Sequence, residues 1–390
     1  MPQYDFDEVI PRRGTGSVKW QMFGDDVLPL WVADMDFRLP QEIIDAIKAR
    51  AEHGMFGYDF FMPDVNEVIC QRMKTLYDWD IEPDWIIHMP GVIAGISMAC
   101  KTFGEHGHKA LFHTPVYFPF YNVTKAQGMQ PNTVELDLVE DGDLLRYELD
   151  FDTFESAITD DTDLFILCNP HNPVGRVWTR DELQRMADSC LKHDIMIISD
   201  EIHCDLLFDD HVHVPIAALS KEIEAKTITL MAASKTFNMP GLGDAYAIVA
   251  DKDMREQLGA AMWGIGAHAF VMGLIGTKAA YEHGADWLQQ ALAYMQANRD
   301  YVIDYLKEHL PQIKTTSPEG TYLMWLDCRA LPLGDELPGK FFMEQAKVAF
   351  NEGQIFGESG TGFVRLNLAC PRSILTQGLD QMREAIAGLE

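Results

Sequence analysis

Between about residues 84 and 250, short runs of consecutive apolar residues alternate with longer amphipathic segments. The apolar runs lie at 109–113, 164–168, 195–199, 227–231 and 245–249. Such runs are typical of strands that are covered on both faces, and they predict a parallel sheet. The intervening segments predict helices, and Thr179-Arg-Asp-Glu182 has the pattern of a capping box at a helix start. Strand followed by helix, repeated, predicts an open doubly wound α/β sheet whose functional groups lie at the carboxyl ends of its strands.

The last third of the chain has a different pattern. An amphipathic stretch from about residue 286 to 310 is followed by strand-like segments at 320–327 and 362–368. These segments predict a smaller α+β unit. In the second of them successive side chains alternate between two faces, which places Arg365 opposite the apolar face.

We expect the chain to have three parts. Residues 1–50 lack a sheet of their own and are expected to pack on the small domain. Residues 51–285 are expected to form the large domain, and residues 286–390 the small C-terminal α+β domain. No repeat of fixed period and no low-complexity linker divides the chain in another way.

The charge balance argues against polyanionic partners. The chain has 31 Lys+Arg against 60 Asp+Glu, which gives a formal net charge of −29 over 390 residues. Nucleic acids and anionic membranes are bound through clusters of basic residues, and no such cluster occurs here. Apolar stretches are also broken well before the roughly 20 residues of a spanning helix. We therefore expect no nucleic-acid or membrane partner and a cytoplasmic location.

The cysteines and histidines do not predict a metal or disulfide framework. Seven cysteines are scattered and never spaced as Cys-x-x-Cys, which is typical of reduced thiols that act as small core residues. The histidine pairs His106/His108 and His211/His213 lie in polar stretches without a third ligand nearby. We expect both pairs to lie in solvated turns, and we expect no metal site.

Polar residues follow several of the predicted strands. Asp200 ends the run that begins at 195, where an aspartate alone could also cap the next helix. Asn172 begins the second of two Asn-Pro steps after the run at 164–168, in a turn that would need only one such step. Lys235 follows the run at 227–231 in an apolar neighbourhood, where a buried amine is costly and normally has a function.

The three residues lie in the motifs Asn169-Pro-His-Asn-Pro-Val-Gly175, Ser199-Asp-Glu-Ile-His203 and Ser234-Lys-Thr-Phe-Asn238. In this order and spacing the motifs resemble those of pyridoxal-phosphate enzymes of the class I/II aminotransferase fold. Four further motifs are Trp31-Val-Ala-Asp-Met-Asp-Phe37, Phe56-Gly-Tyr58, Thr114-Pro-Val-Tyr117 and Phe363-Val-Arg-Leu-Asn367. They are similar to the branch of cystathionine β-lyases and cysteine-S-conjugate β-lyases, and the likeness covers nearly the whole chain. The resemblance implies fold type I, with a mostly parallel seven-stranded sheet in the large domain, and pyridoxal 5'-phosphate as cofactor.

The resemblance assigns catalytic roles to three of these residues. Lys235 matches the lysine that bonds covalently to the cofactor and later acts as a base, which desolvation of an amine favours. Asp200 matches the carboxylate that pairs with the ring nitrogen of the cofactor and keeps it protonated. Tyr117 matches the ring that stacks on the cofactor face. Asn172 would donate a hydrogen bond to the phenolic oxygen of the cofactor.

The cofactor phosphate is expected at a helix start. The backbone amides of Val92 and Ile93, after Gly91, would face the anion, and Ser234 could add a hydroxyl. Tyr58 would contact cofactor and substrate from the neighbouring subunit of a homodimer. Aminotransferases of this fold often carry an arginine eight positions after the lysine and a serine three positions before it. This chain has Gly243 and Ala232 there, so phosphate binding is expected to rely less on charge.

The resemblance favours elimination at sulfur amino acids. Arg365 matches the residue that binds the substrate α-carboxylate through a planar, bidentate fork. His203 occupies a cofactor-site position where aminotransferases usually have tyrosine, and this departure resembles the β-lyase branch. The expected reaction is α,β-elimination on cystathionine or a related cysteine S-conjugate, giving pyruvate, ammonia and a thiol. Trp31, Tyr58 and Phe37 are candidates for contacts with the distal part of the substrate.

Two other functions stay open from the residues. The same lysine and cofactor could return the proton to another carbon, which would make the protein an aminotransferase. A protein of this fold could also bind pyridoxal phosphate and act on a protein partner as a regulator, because the fold does not determine the function.

Overall fold

The computed structural model describes residues 4–57 and 62–389. Its strands, in chain order, are β1 Leu28–Pro29, β2 Ile86–Met89, β3 Lys109–Thr114, β4 Gln130–Glu135, β5 Asp137–Asp141, β6 Leu144–Glu148, β7 Thr162–Cys168, β8 Met196–Asp200, β9 Thr227–Met231, β10 Ala245–Ile248, β11 Lys314–Thr316, β12 Leu323–Asp327, β13 Val348–Ala349, β14 Asn351–Glu352 and β15 Phe363–Asn367. The helices are α1 Val18–Gln21, α2 Gln41–His53, α3 Pro63–Tyr77, α4 Val92–Phe103, α5 Pro119–Ala126, α6 Phe151–Ser156, α7 Arg180–Lys192, α8 Lys221–Glu224, α9 Ala233–Thr236, α10 Lys252–Gly264, α11 Val271–His283, α12 Ala285–His309, α13 Pro338–Phe341 and α14 Arg372–Ala387.

The larger sheet confirms the predicted mostly parallel, seven-stranded architecture. Its strands lie in the order β2-β10-β9-β8-β7-β3-β4, and only β10 runs antiparallel to its neighbours. The apolar runs of the sequence form its inner strands, and helices cover both faces. The predicted capping box is also confirmed, because Thr179 and Glu182 exchange both hydrogen bonds at the start of α7.

The chain changes direction across the sheet beside β3. It moves from β3 to the edge strand β4 and then returns to the other side of β3 for β7, β8 and β9. Such a reversal opens a crevice at the carboxyl ends of the two strands that flank it. The loops after β3 and β7 therefore meet there, beside the ends of β8 and β9.

A second, six-stranded sheet has the order β14-β15-β12-β11-β6-β5. It contains the predicted pair of strands near 320–327 and 362–368, which pair antiparallel as β12 and β15. The hairpin β5–β6 joins this sheet through β6, which runs parallel to β11, although its residues lie inside the expected large-domain range 51–285. The pairing buries Leu145 and Tyr147, and the Tyr147 hydroxyl accepts a hydrogen bond from Trp325 Nε1 at 3.0 Å. The division at 50 and 285 stays a prediction, and this hairpin is a contact that crosses it.

The N-terminal segment packs against elements from both the large-sheet region and the second-sheet region. Its strand β1 pairs parallel with β13 beside the second sheet, and helix α2 packs against α11. Between these two contacts, residues 31–37 pass over the carboxyl edge of the large sheet, where the backbone amide of Met35 donates a hydrogen bond to Asn238 Oδ1 at 2.9 Å. In the part of the chain that the structure describes, none of the helices combines the length and apolar character needed to span a bilayer.

Candidate active site

A cavity of about 210 Å³ lies at the carboxyl edge of the large sheet. Its walls come from the loops after β3, β7, β8 and β9 and from the first turn of α4. The predicted site residues that line it are Val92, Ile93, Tyr117, Asn172, Asp200, His203, Ser234 and Lys235. The structure therefore brings together residues that the sequence separates by more than 140 positions, because each follows a strand of one sheet.

Lys235 enters this cavity from the short helix α9, which follows β9. Its Nζ donates a hydrogen bond to the carbonyl oxygen of Ala33 at 2.5 Å. Burial, and after it the positive charge of Arg365, lowers the pKa of the Lys235 amine to about 8. At neutral to mildly basic pH a useful fraction of this amine is therefore neutral and can act as a nucleophile or a base.

Asp200 ends strand β8 and is buried in the opposite wall. Its Oδ1 accepts a hydrogen bond from the backbone amide of Ile202 at 3.2 Å. Burial raises the pKa of this carboxyl to about 7, and the Lys235 charge opposes that rise. A carboxylate held in such a place gains from a cationic partner in the cavity, because the partner would restore the charge stabilisation that water supplies elsewhere.

The expectation that His211 and His213 both lie in a solvated turn is wrong for His213. Its imidazole is buried, and its Nε2 lies 2.7 Å from Oε2 of the buried Glu201. Ser199 Oγ and the backbone amide of Ile216 donate to the other oxygen of the same carboxylate. A fully buried carboxylate needs such partners, and no sequence spacing shows that His213 is one of them. Among the described residues, no cluster of three His, Cys, Asp or Glu side chains is arranged to hold a metal ion.

Tyr117 and Asn172 link the loops on the two sides of the crevice. The Tyr117 amide donates to the Asn172 carbonyl oxygen at 3.1 Å. Burial raises the pKa of the Tyr117 hydroxyl, so the ring stays neutral across the physiological range. This backbone hydrogen bond joins the two loops, so that the Tyr117 ring and the Asn172 side-chain amide are held in a fixed relative position.

His203 contributes a neutral imidazole to the cavity wall. Its ring centroid lies 5.9 Å from that of Tyr322 in an edge-on arrangement. Burial, followed by the charges of Lys235 and Arg365, lowers the pKa of His203 to about 3. Its Nδ1 is buried and has no hydrogen-bond partner among the described residues, so it is available to a ligand.

Arg365 lies behind Asn172 on β15, with both faces of its strand covered. Its Nη1 donates to Asn172 Oδ1 at 3.0 Å, and its Nη2 donates to Asn351 Oδ1 at 2.6 Å and to the Trp31 carbonyl oxygen at 3.0 Å. The guanidinium lies 4.9 Å from the ring centroid of Phe356. Burial lowers the Arg365 pKa to about 10, and the buried Nε has no partner in the described part of the chain. The Nε–H and the second N–H of Nη1 are therefore left for an anion.

The start of α4 forms the remaining end of the cavity. Gly91 precedes the helix, and the first amides of a helix, here those of Val92 and Ile93, have no partner within it. They make the amino end of the helix an anion site. At Gly243 a Cβ would lie 2.3 Å from the ring of Phe270, and φ is +68°. A side chain such as arginine is therefore excluded there unless Phe270 moves.

Three further expectations concern residues outside this wall. Tyr58 lies outside the described residues. Phe37 does not line the cavity: its ring is buried in the core, 5.1 Å from the ring centroid of Phe6, so the expected contact with substrate is wrong. A ring of this size is stabilised more by burial against other rings than by exposure at a cleft. Trp31 reaches the site through its carbonyl oxygen, while its ring packs 5.4 Å from Phe23.

The sequence reasoning missed three groups near the two cations. Asn351 binds Arg365 from the neighbouring strand β14, the Ala33 carbonyl oxygen accepts from Lys235, and the Tyr322 hydroxyl donates to the same oxygen at 3.0 Å. Asn351 pairs with Arg365 in register, which only the sheet topology shows. Backbone carbonyls carry no residue signature, so no motif could have identified Ala33.

Comparisons with known proteins agree with this geometry. The sequence model of the family described as aminotransferase class I and II matches residues 25–382. Cystathionine beta-lyase PatB of Bacillus subtilis is 37% identical over 98% of this chain and 100% of its own length. A PLP-bound putative aminotransferase from Clostridium difficile superposes with a TM-score of 0.95 at 41% identity, covering 98% of this chain and 100% of the other. A PLP-bound C-S lyase from Staphylococcus hominis superposes with a TM-score of 0.92 at 31% identity, covering 99% of this chain and 98% of the other.

Proposed function

Because this chain belongs to the aminotransferase class I and II family, we propose that it is a pyridoxal-phosphate-dependent carbon–sulfur β-lyase. Its substrates are cystathionine or related cysteine S-conjugates, and its products are pyruvate, ammonia and a thiol. The observation that carries the proposal is a buried lysine and a buried aspartate in one cavity, with an arginine one hydrogen bond away from its wall. The full-length relatives named as a cystathionine β-lyase and a C-S lyase support the choice of reaction.

The residues of the cavity fit pyridoxal phosphate. The group has an aldehyde, a basic ring nitrogen, a phenolic oxygen and a phosphate, and the cavity holds one matching partner for each. These are the Lys235 amine, the Asp200 carboxylate, the Asn172 side chain and the amino end of α4. When bound, the cofactor supplies an electron sink for the negative charge that develops at the substrate α carbon.

Lys235 and Asp200 have complementary roles in the proposed reaction. The Lys235 amine would hold the cofactor through its aldehyde and, once freed by the substrate amine, would accept the α proton. The lowered pKa of Lys235 favours both roles, because each requires the neutral amine. A cationic ring nitrogen would restore the ionised form of Asp200, and the carboxylate would in turn keep that nitrogen protonated.

Arg365 is proposed to bind the substrate α-carboxylate. Its Nη atoms are held by Asn172, Asn351 and Trp31, which fixes the plane of the guanidinium, and its Nε is left as a buried donor. Asn172 accepts from Arg365 through Oδ1 and is proposed to donate through Nδ2 to the phenolic oxygen of the cofactor. The carboxylate and cofactor positions are thereby linked through one amide side chain.

The proposed phosphate site relies on backbone dipoles and hydroxyl groups. Val92 and Ile93 supply amides, and Ser234 lines the same cavity. Gly243 leaves no room for a charged anchor because of Phe270. Tyr117 would cover one face of the cofactor. His203 would bind the cofactor through its unpartnered Nδ1, as a neutral group that does not compete with Asp200 for the ring proton.

We also propose a cytoplasmic homodimer in which Tyr58 reaches the cofactor and substrate of the other subunit. Exposed apolar side chains occur at positions 55 and 56, just before Tyr58 in the sequence, and in the segment 263–270, where Trp263 lines a groove of about 480 Å³. Large exposed apolar side chains of this kind favour a protein interface. The exposed side chains are Met55, Phe56, Trp263, Ile265 and Phe270.

An aminotransferase is the second candidate, favoured by the putative aminotransferase that superposes at 41% identity. Product analysis of the purified enzyme with cystathionine, cystine, cysteine and an S-conjugate separates the two reactions. A lyase is expected to release pyruvate, ammonia and thiol in equal amounts without an added 2-oxo acid as amino-group acceptor. An aminotransferase would instead convert the cofactor to pyridoxamine phosphate in a half-reaction that a 2-oxo acid reverses, and it would give no pyruvate from sulfur substrates. This result would overturn the proposal.

A regulator that acts through a protein partner would instead be recognised by copurification of that partner with the catalytically inactive Lys235→Ala variant.

A further inference from the structure

Residues 31–37, which we call the active-site strap, hold both cations of the site through main-chain carbonyl groups. The Trp31 carbonyl oxygen accepts from Arg365, and the Ala33 carbonyl oxygen accepts from Lys235. Two asparagine side chains anchor the strap by donating hydrogen bonds to further main-chain carbonyl oxygens. Asn367 lies in β15 of the six-stranded sheet, and Asn238 follows α9 beside the large sheet. The Asn367 Nδ2 donates to Val32 and Asp34, both at 2.7 Å, and the Asn238 Nδ2 donates to Met35 and Phe37, both at 2.9 Å.

The side chains of the strap are fixed by a set of charges that we call the charge cluster, in which Lys19 and Asp36 are buried and Arg12 and Asp34 are partly exposed. Lys19 Nζ lies 2.7 Å from Asp36 Oδ2 and 3.5 Å from Asp34 Oδ1, and it donates to the Asp34 carbonyl oxygen at 3.0 Å. Arg12 contacts both carboxylates, at 2.7 Å from Asp34 and 2.6 Å from Asp36. Trp20 Nε1 adds a hydrogen bond to Asp36 at 2.8 Å.

Stability alone is a weak reason for such a cluster. The side chain of Lys19 is fully buried and that of Asp36 is 5% exposed, so their desolvation offsets most of the attraction between them. The cluster is, however, balanced in charge and strongly directional, since both carboxylates are held by two cations each. A buried network of this kind restricts the backbone that carries it to one arrangement.

We propose that Lys19 and Arg12 are positioning residues that act through the carboxylates of the charge cluster, Asp34 and Asp36. They hold the strap carbonyls against Arg365 and Lys235. In this way they set the affinity of the site for the amino-acid substrate. The inference rests on the proposed function only for the class of ligand, an amino acid with a free α-carboxylate. Arg365 can present its Nε to that carboxylate only while Trp31 and Asn351 hold Nη2. Lys235 is aimed by the Ala33 carbonyl whenever its amine is free.

The test compares Lys19→Met with Arg38→Ala in the holoenzyme. Lys19→Met removes one charge of the cluster at nearly constant side-chain length, whereas Arg38 forms an exposed ion pair with Glu8 in the same segment. L-alanine, which has no leaving group, is titrated into each protein and its dissociation constant is read from the cofactor absorbance. The expected result for Lys19→Met is an increase of about 10- to 100-fold in that constant and in KM for cystathionine, with a smaller change in kcat. Cofactor content and the melting temperature of Arg38→Ala should match those of the wild type.

A merely structural role would lower the melting temperature of Lys19→Met and leave the L-alanine affinity of the folded fraction unchanged, and this result would overturn the inference. Should Lys19→Met yield no folded protein, the Asp34→Asn variant provides the test, because Asp34 is partly exposed and asparagine has nearly the same shape as aspartate. An L-alanine affinity within about twofold of wild type in Asp34→Asn would then reject the positioning role. Since L-alanine binding requires no elimination, a wild-type enzyme without lyase activity would refute the proposed function and leave this measurement informative.

Discussion

The cofactor side and the carboxylate side of the site are built in different ways. The cofactor side consists of Asp200, Lys235, Ser234 and the start of α4, and each of these follows a strand of one sheet. On the carboxylate side, Arg365 is held by residues from three separate parts of the chain. Burial shifts the pKa values of ionisable groups on both sides. On the first side the Asp200 carboxyl accepts from one backbone amide, and a cationic ligand would lower its raised pKa again. On the second side the Arg365 guanidinium is already oriented by three hydrogen bonds.

This difference predicts how each side responds to substitution. Changes on the cofactor side should alter cofactor binding, spectrum and chemistry. Changes on the carboxylate side should weaken substrate binding and leave the cofactor in place.

The largest effect is expected from Lys235→Ala. Without the amine, the cofactor absorbance band that reports the covalent bond should disappear, and pyruvate release should fall by about 10⁴-fold, as is typical when a positioned base is lost. Absorbance spectra and a pyruvate assay with cystathionine measure both effects. Lys226→Ala, an exposed lysine just before β9 that pairs with Asp194, is the control and should behave as wild type. Unchanged turnover in Lys235→Ala would refute the assignment.

A smaller effect, confined to substrate binding, is expected from Arg365→Lys. Lysine keeps the charge and loses the planar fork, so KM for cystathionine should rise by about 100-fold while the cofactor absorbance is retained. Steady-state kinetics and the absorbance spectrum provide the two readouts. Arg329→Lys, at a half-exposed arginine that pairs with Asp327, should leave KM unchanged. Loss of the absorbance with a wild-type KM would place Arg365 on the cofactor side and break the comparison.

The smallest effect is a gain in stability from Asp200→Asn in protein stripped of cofactor. The pKa of Asp200 is raised to about 7 in the folded state, so the unfolded chain ionises near pH 4 while the folded chain resists ionisation. Wild-type stability therefore falls as pH rises from about 4 to 7, and the asparagine variant escapes this loss. Urea unfolding should show an advantage of about 1–3 kcal/mol at about pH 8 that shrinks at about pH 5.

The control for this measurement is Asp188→Asn, at an exposed position on α7, which should show no such difference between the two pH values. An asparagine variant of Asp200 that is less stable at about pH 8 would mean that the carboxylate already has a stabilising partner in the stripped protein. The cofactor side would then be preformed in the same way as the carboxylate side.

Much of the cofactor side could be predicted from the chain itself. The apolar runs mark buried strands, and a polar residue at the end of such a run is exposed to the crevice at the sheet edge. Asp200, Asn172 and Lys235 were identified in this way, and the structure brings them into one cavity, while their catalytic roles remain predictions. Phe37 and His213 were misjudged, because neither the core contact of an aromatic ring nor the partner of a buried carboxylate leaves a mark in local sequence.

The sequence by itself determined the parallel α/β sheet and the residues at its strand ends, because hydrophobic periodicity and strand-end polarity are local properties of the chain. The count of seven strands came from the family resemblance, and the structure confirms it. Only the tertiary structure decided that β5–β6 would join the second sheet, that Asn351 would face Arg365, and that the strap carbonyls would meet both cations. These contacts join residues up to 334 positions apart. Backbone carbonyls and strand registers have no residue signature, so they become visible only when the packed chain brings them together.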